Sequence, residues 1–150
     1  MKIFIGADHR GFQLKEKVKG WLKAAGHQVQ DMGTQTQEGC CDYPQVSRGV
    51  GLEVVRHRGS RGILLCMTGL GHSIAANKVP GVFAALVYNQ QAARFSRQHN
   101  DANVLVLGSK FVDDSTARKI IKIWLSTKFE GGRHWRRKKQ IQKIEKEFSQ

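Results

Sequence analysis

Ile63-Leu64-Leu65-Cys66-Met67-Thr68-Gly69-Leu70-Gly71-His72-Ser73-Ile74-Ala75-Ala76-Asn77-Lys78 decides how the chain is read. The stretch opens on an apolar run, Ile63 to Leu65, long enough for one buried strand. It closes on small residues, Ser73 to Asn77, that read as a packed helix. Between them lie a cysteine, a threonine and two glycines. Strand, tight turn and helix place reactive groups at the carboxyl end of a parallel sheet. The first free amides of such a helix face whatever binds there, and its dipole favours negative charge. A thiol beside that helix start is expected to have its thiolate stabilised, which makes Cys66 a candidate base or nucleophile. The plainer reading is an inert core thiol.

Outward from this stretch, strands and helices alternate. Lys2 to Ala7 reads as a first strand ending in the polar turn Asp8-His9-Arg10-Gly11. Phe12 to Ala25 has apolar residues near helical period, and Gly26 is a natural stop. His27 to Met32 is a weaker strand, and Tyr43-Pro44 leads into a helix through about His57. Val82 to Val87 and Val104 to Leu107 read as further strands. Asn89 caps a helix through about Gln98, and Asp113 caps another whose apolar face is Ala117, Ile120, Ile121, Trp124 and Leu125. Five such alternations imply a single domain over residues 1–150, an open parallel doubly wound sheet with right-handed crossovers. Asp8-His9, Cys66 to Gly71 and His99-Asn100 are expected to converge in one crevice. Gly131-Gly132 reads as a hinge before a last basic helix, about Arg136 to Phe148. Its thin apolar stripe, Ile141, Ile144 and Phe148, makes it marginal alone. It is expected to pack on a second copy of the chain, making a homodimer.

Composition narrows the function classes. The 150 residues carry a formal net charge of +13 and 40% hydrophobic residues. No apolar run approaches the roughly 20 residues needed to cross a bilayer, and Asp8 comes too early for a secretory signal, so Met1 to Asp8 reads as a first strand. Three cysteines, Cys40 and Cys41 adjacent and reading as loop residues, make no disulfide framework and suit a reducing cytoplasm. No cluster has zinc spacing in the sequence. The basic residues fall at 15–23, 48–61 and 133–146. Apart from Trp135 no aromatic residue interleaves with them, which disfavours nucleic acid as the main partner.

No Walker loop and no complete GxGxxG appears: Gly69-Leu70-Gly71 runs into Ser73-Ile74. Carboxylates for a catalytic divalent metal are scarce. What remains is a tunable base, a bed of amide donors, histidines, and arginines four apart at Arg133 and Arg137, able to grip one phosphate. Those parts suit proton abstraction beside a carbonyl, with donors holding enediolate oxygens as charge develops. A phosphorylated sugar undergoing aldose–ketose isomerisation is the matching substrate class.

Asp8-His9, Asp42-Tyr43-Pro44, Cys66-x-Thr68-Gly69-x-Gly71, Ser73-Ile74-Ala75-Ala76-Asn77-Lys78, His99-Asn100-Asp101-Ala102-Asn103-Val104-Leu105 and Glu130-Gly131-Gly132-Arg133-His134 together resemble the type B ribose-5-phosphate isomerase family. That family includes galactose-6-phosphate and allose-6-phosphate isomerases. The resemblance implies a Rossmann-like three-layer α/β/α sandwich with a five-stranded parallel sheet. It also implies a homodimer or tetramer with active sites shared between subunits, and no cofactor or metal. By position, Cys66 resembles the base that moves a proton between C1 and C2. His99 resembles the ring-opening group, assisted by Asp8, and Thr68 a polar residue of the site. Met67, Gly69, Gly71 and Asn100 would form the anion hole. His9, Arg133 and Arg137 resemble phosphate ligands, and Tyr43 a pocket wall.

Three residues depart from the family pattern. Met67 stands where glycine is usual, Tyr88-Asn89 replaces an acidic pattern, and Lys110 replaces an arginine. One branch of the family lacks the cysteine and has a glutamate base at the position of His72. His72 is therefore expected to assist Cys66 as a proton acceptor or relay; the plainer expectation is a helix-start histidine facing solvent or a neighbour. Two rival functions stay open: isomerisation of another sugar, and a non-catalytic phosphate- or nucleic-acid-binding descendant of the fold.

Overall fold

Apolar runs buried on both faces build the centre of the protein, as a parallel sheet covered on both sides requires. The structure, a computed structural model, describes residues 1–39 and 41–148, so Cys40 lies outside the described residues. In chain order the elements are β1 (Lys2–Ala7), α1 (Phe12–Ala24), β2 (Gln28–Asp31), α2 (Tyr43–Arg56), β3 (Arg61–Cys66), α3 (Leu70–Ala76), β4 (Ala84–Leu86), α4 (Gln90–Gln98), β5 (Val104–Gly108), α5 (Asp114–Ser126) and α6 (Arg133–Phe148). The five strands form one parallel sheet in the order β2-β1-β3-β5-β4. Ala7 pairs with Leu65 and Cys66 with Gly108, so Asp8 and Cys66 leave the sheet side by side at its carboxyl end.

Alternation along each inner strand divides the core. Ile3, Ile5, Ile63, Leu65, Leu105 and Leu107 face α1, α4 and α5, meeting Leu14, Val18, Ala93, Ile120 and Trp124. Phe4, Leu64, Val104 and Val106 face the other way, toward Val50 and Val54 of α2 and Ala76 of α3. The result is the three-layer sandwich expected from the sequence. On the first face the Lys15 ammonium is buried and donates to both oxygens of Asp31, at 2.8 and 2.7 Å, fixing α1 to the end of β2.

Several boundaries differ from the sequence reading. α3 begins at Leu70, not Ser73, because Gly69 takes the left-handed conformation (φ +86°) and starts the helix at once. β4 is three residues long and half-buried, as befits the sheet's outer strand. α6 begins at Arg133, directly after Gly131 and Gly132, so the glycines start the helix and no spacer separates them. α6 also holds to its own chain: His134 is buried, Lys138 donates to Asp101, and Glu145 accepts from the Gly81 amide at 2.9 Å. Its stripe stays open, with Ile141, Ile144 and Phe148 at 47%, 56% and 82% exposure.

Candidate active site

Cys66 closes β3 at the carboxyl end of the sheet, and the turn that follows wraps its sulfur. The Gly69 amide donates to Cys66 Sγ at 2.8 Å, and the Leu70 amide to Thr68 Oγ1 at 3.3 Å. Two glycines are needed for the turn. A Cβ on Gly69 would strike Leu86, and one on Gly71 would lie 2.6 Å from the Tyr43 ring, which packs flush on the backbone there. The loop after β5 closes the turn from the other side: Ser109 and Lys110 donate to the carbonyls of Cys66 and Met67 at 2.8 and 3.0 Å. Asp8 Oδ1 is oriented by the Gly11 amide at 2.9 Å.

His72 enters the same site. It is fully buried against Ser47 and Tyr43, so of the plainer expectation, solvent or a neighbour, the solvent-facing half is corrected. Its Nδ1 lies 2.7 Å from Ser47 Oγ on α2, and the same hydroxyl lies 3.0 Å from the Tyr43 carbonyl. The hydroxyl has one hydrogen to give, to the Tyr43 carbonyl or to Nδ1, and either way it holds the ring in place. The Tyr43 ring meets the imidazole edge-on at 5.7 Å. Nε2 makes no hydrogen bond of good geometry, although the Leu65 backbone interacts with the ring and favours its protonated form. One ligating atom each of Asp8, Cys66 and His72 lie within 4.8 Å of one another. Burial pushes the pKa of His72 down to about 4, so the imidazole is neutral.

The thiol behaves opposite to expectation. Burial raises the Cys66 pKa and the Asp8 carboxylate adds to the rise, while the bonds from Gly69 and Thr68 oppose it without prevailing. Hydrogen bonds at a helix start favour a thiolate, but loss of water and a nearby anion outweigh them here.

The remaining candidates divide between the two ends of the sheet. His9 lies beside Asp8; its Nδ1 is buried without a partner and its Nε2 accepts from Arg10 Nε at 3.3 Å. Arg10 also reaches Met67, with Nη1 4.0 Å from the sulfur. Met67 is 38% exposed at the mouth. His99 and Asn100 do not converge with Cys66 in the same chain. They precede β5, and in a parallel sheet the segment entering a strand sits at the amino end; the rise along β5 alone is about 13 Å. There His99 stacks between Phe95 at 4.8 Å and His134 at 4.4 Å, with Glu130 4.0 Å from its Nε2. His99, Asn100, His134, Arg137, Lys138 and Ile141 line a cleft of about 260 Å³. Arg133 and Arg137 are exposed at the start of α6. One chain thus carries the thiol at one end of its sheet and the cationic, imidazole-bearing cleft at the other.

Sequence reasoning missed Ser47, Arg10 and the His99–His134 stack. Arg10 had a signal in its place beside Asp8-His9. Ser47 had none, because its role depends on the packing of α2 against α3.

The sequence pattern described as Ribose/Galactose Isomerase matches residues 3–141. The chain is 44% identical over 144 residues to ribose-5-phosphate isomerase B of Escherichia coli, covering 96% of each chain. Its fold is similar to the solved ribose-5-phosphate isomerase B of Clostridium thermocellum, with a TM-score of 0.97 and 48% identity over 99% of this chain and 100% of that one. It is similar also to the Mycoplasma genitalium enzyme solved with bound ribulose 5-phosphate, with a TM-score of 0.94 and 44% identity over 97% of each chain. The chain belongs to the ribose/galactose isomerase family.

Proposed function

We propose that the protein interconverts ribose 5-phosphate and ribulose 5-phosphate by proton transfer through an enediolate. The observation that carries this reading is Cys66 at the head of a turn lined with amide donors, grouped with Asp8 and His72. Cys66 takes the proton from C2 of the open-chain aldose and returns it at C1, while the O2 hydroxyl proton passes to O1. The first-turn amides of α3, which lack intrahelical acceptors, hold the enediolate oxygen. Thr68 and Asp8 orient the sugar hydroxyls, and Tyr43 walls the pocket. The bound ribulose 5-phosphate in the Mycoplasma genitalium relative supports the substrate class.

The other half of the site comes from a second copy. The partner's His99 opens the sugar ring, the partner's Asn100 completes the anion hole, and the partner's Arg133 and Arg137 grip the phosphate with His9. The raised thiol pKa supports this division. A base that must work near neutrality needs cations close by, and in one chain Arg133 and Arg137 stand at the far end of the sheet. The open stripe of α6 supports the same pairing, since Ile141, Ile144 and Phe148 have a face to offer a second chain. No helix among the described residues is long and apolar enough to cross a membrane, and a place in cytoplasmic pentose phosphate metabolism accords with the reading.

The test is to mix the protein with ribose 5-phosphate and a panel of hexose 6-phosphates and follow ketose formation. Turnover of the pentose that vanishes in Cys66→Ala, with the fold retained, is the expected result. Preference for a hexose phosphate would reassign the substrate. No turnover combined with steeply salt-dependent binding to an oligonucleotide would replace the isomerase reading with a binding one.

A further inference from the structure

The geometry points to a second use of the Cys66 cleft: Asp8, Cys66 and His72 form a reversible site for a borderline-soft divalent cation, zinc being the type, whose binding holds the enzyme inactive. The donors are one carboxylate oxygen, one thiol sulfur and one imidazole nitrogen, all within 4.8 Å of one another. Zinc holds such atoms at about 2.0–2.3 Å, a grouping that small side-chain movements complete. Sulfur and imidazole donors select against magnesium and calcium, which take oxygen.

His72 supplies the independent observation. It is fully buried, yet its Nε2 makes no hydrogen bond of good geometry, although the Leu65 backbone also acts on the ring. A buried ring nitrogen without a well-formed bond is costly in an apolar setting. Here the opposite nitrogen is engaged by Ser47 Oγ at 2.7 Å. That is the kind of outer support a metal-binding histidine has: one ring nitrogen is held by a fixed hydroxyl, which leaves the other for the ion. On binding, Cys66 Sγ–H loses its proton to solvent and a sulfur–metal bond forms; the thiolate and the Asp8 carboxylate together offset the two positive charges. A fourth position stays open to water. With its sulfur engaged, Cys66 no longer takes a proton from a sugar, so cation and substrate exclude each other. The site goes beyond the isomerase reading, and binding is measured without turnover.

Titration with cobalt(II) as an optical probe, with zinc as competitor, tests this on the full chain freed of metal. The expected result is one cobalt per chain, a thiolate-to-cobalt charge-transfer band in the near ultraviolet, and displacement of that band by zinc and by ribose 5-phosphate. Cys66→Ala abolishes the band, and His72→Leu weakens zinc at least tenfold. Ser47→Ala, which keeps the ligand and frees its ring, weakens zinc roughly 10–100-fold and serves if His72→Leu fails to fold. Absence of the band, or equal zinc affinity in wild type, His72→Leu and Ser47→Ala, would overturn the proposal. So would binding that is lost in His134→Asn and kept in Cys66→Ala, because His99, Glu130 and His134 form the other grouping of ligating atoms among the described residues.

Discussion

The 2.7 Å contact between His72 Nδ1 and Ser47 Oγ ties the turn that carries Cys66 to the helix packed across from it. It holds the ring's orientation and so fixes the direction of Nε2. It also buries a titratable group in its neutral form, with consequences for stability.

His72 makes the fold sensitive to mild acid. Its folded pKa is about 4, against about 6.5 in an unfolded chain. The unfolded state therefore binds the proton first, and stability is lost as pH falls from about 6.5 toward 4. The loss at pH 4 is about 3 kcal/mol. His72→Leu should flatten the pH dependence of urea unfolding across that window. An unchanged slope would show that His72 is not the titrating group.

Asp31 governs a lower window. Burial disfavours its ionised form, yet hydrogen bonds from Lys15 and Lys19 and from the Gly33 amide outweigh this and hold its pKa below the ordinary value. The stability it contributes is present above pH about 4 and disappears as pH falls through the lowered folded value. Asp31→Asn takes from the fully buried Lys15 ammonium its close anion and leaves it Glu16, half-exposed and 3.5 Å away, and should cost about 3 kcal/mol at neutral pH, the low end for a broken buried pair. Denaturant titrations of wild type and variant at pH 7 measure this directly; a change under about 1 kcal/mol would mean that the pair acts like an exposed one.

Much of this architecture is legible in the sequence, and the parts that are not share a cause. The strands announce themselves because a sheet buried on both faces makes short apolar runs, and the caps Asn89 and Asp113 mark helix starts through side chains that bond Ala92 and Thr116. The start of α3 is obscured because Gly69 sets it through a backbone angle. Burial of His72 depends on Ser47 and Tyr43 of another helix, so no local pattern shows it. The Asp8–Cys66–His72 grouping likewise joins two strand ends and a helix, and escapes any search for close spacing. The helix start that favours a Cys66 thiolate is visible in the sequence, while the desolvation and the Asp8 charge that raise its pKa are not. The crevice rule that brings His99 to Cys66 holds for loops leaving strands, and His99 precedes β5, which puts it at the opposite end.

The raised thiol pKa predicts slow alkylation. Cys66 starts from an ordinary thiol value of 9.0 and is pushed upward by burial and by Asp8. In the protein at concentrations low enough to hold single chains, the rate of modification at Cys66 by iodoacetamide should still be climbing above pH 9. At concentrations that favour pairing, cations brought by a second chain should move the midpoint down. Peptide mass analysis at each pH separates Cys66 from Cys40 and Cys41; a midpoint below 8 in single chains would contradict the burial argument.

Met67 should tune substrate length more than fold. Its side chain stands at the mouth, with Arg10 Nη1 4.0 Å from the sulfur. Met67→Gly opens that space and frees the guanidinium. The ratio of kcat/KM for allose 6-phosphate to that for ribose 5-phosphate should rise about tenfold, the scale of a hydrophobic contact of methylene size. An unchanged ratio would show that Met67 does not face the sugar.

The division of the site between chains can be tested with two inactive proteins. Cys66→Ala lacks the base and His99→Asn lacks the ring-opening group, so each alone should lose at least about 100-fold in kcat. Suppose each site takes Cys66 from one chain and His99 from the other. In a mixed dimer one site then carries both lesions and the other carries neither. Unfolding and refolding the two variants together in equal amounts should give half mixed dimers and restore about a quarter of the wild-type sites. If both residues served the same site from one chain, every site in the mixture would keep a lesion, and activity would stay at the level of the separate variants. Mixing without refolding controls for exchange, and an Ile144→Asp change on both chains should abolish the recovery by disrupting the open stripe of α6.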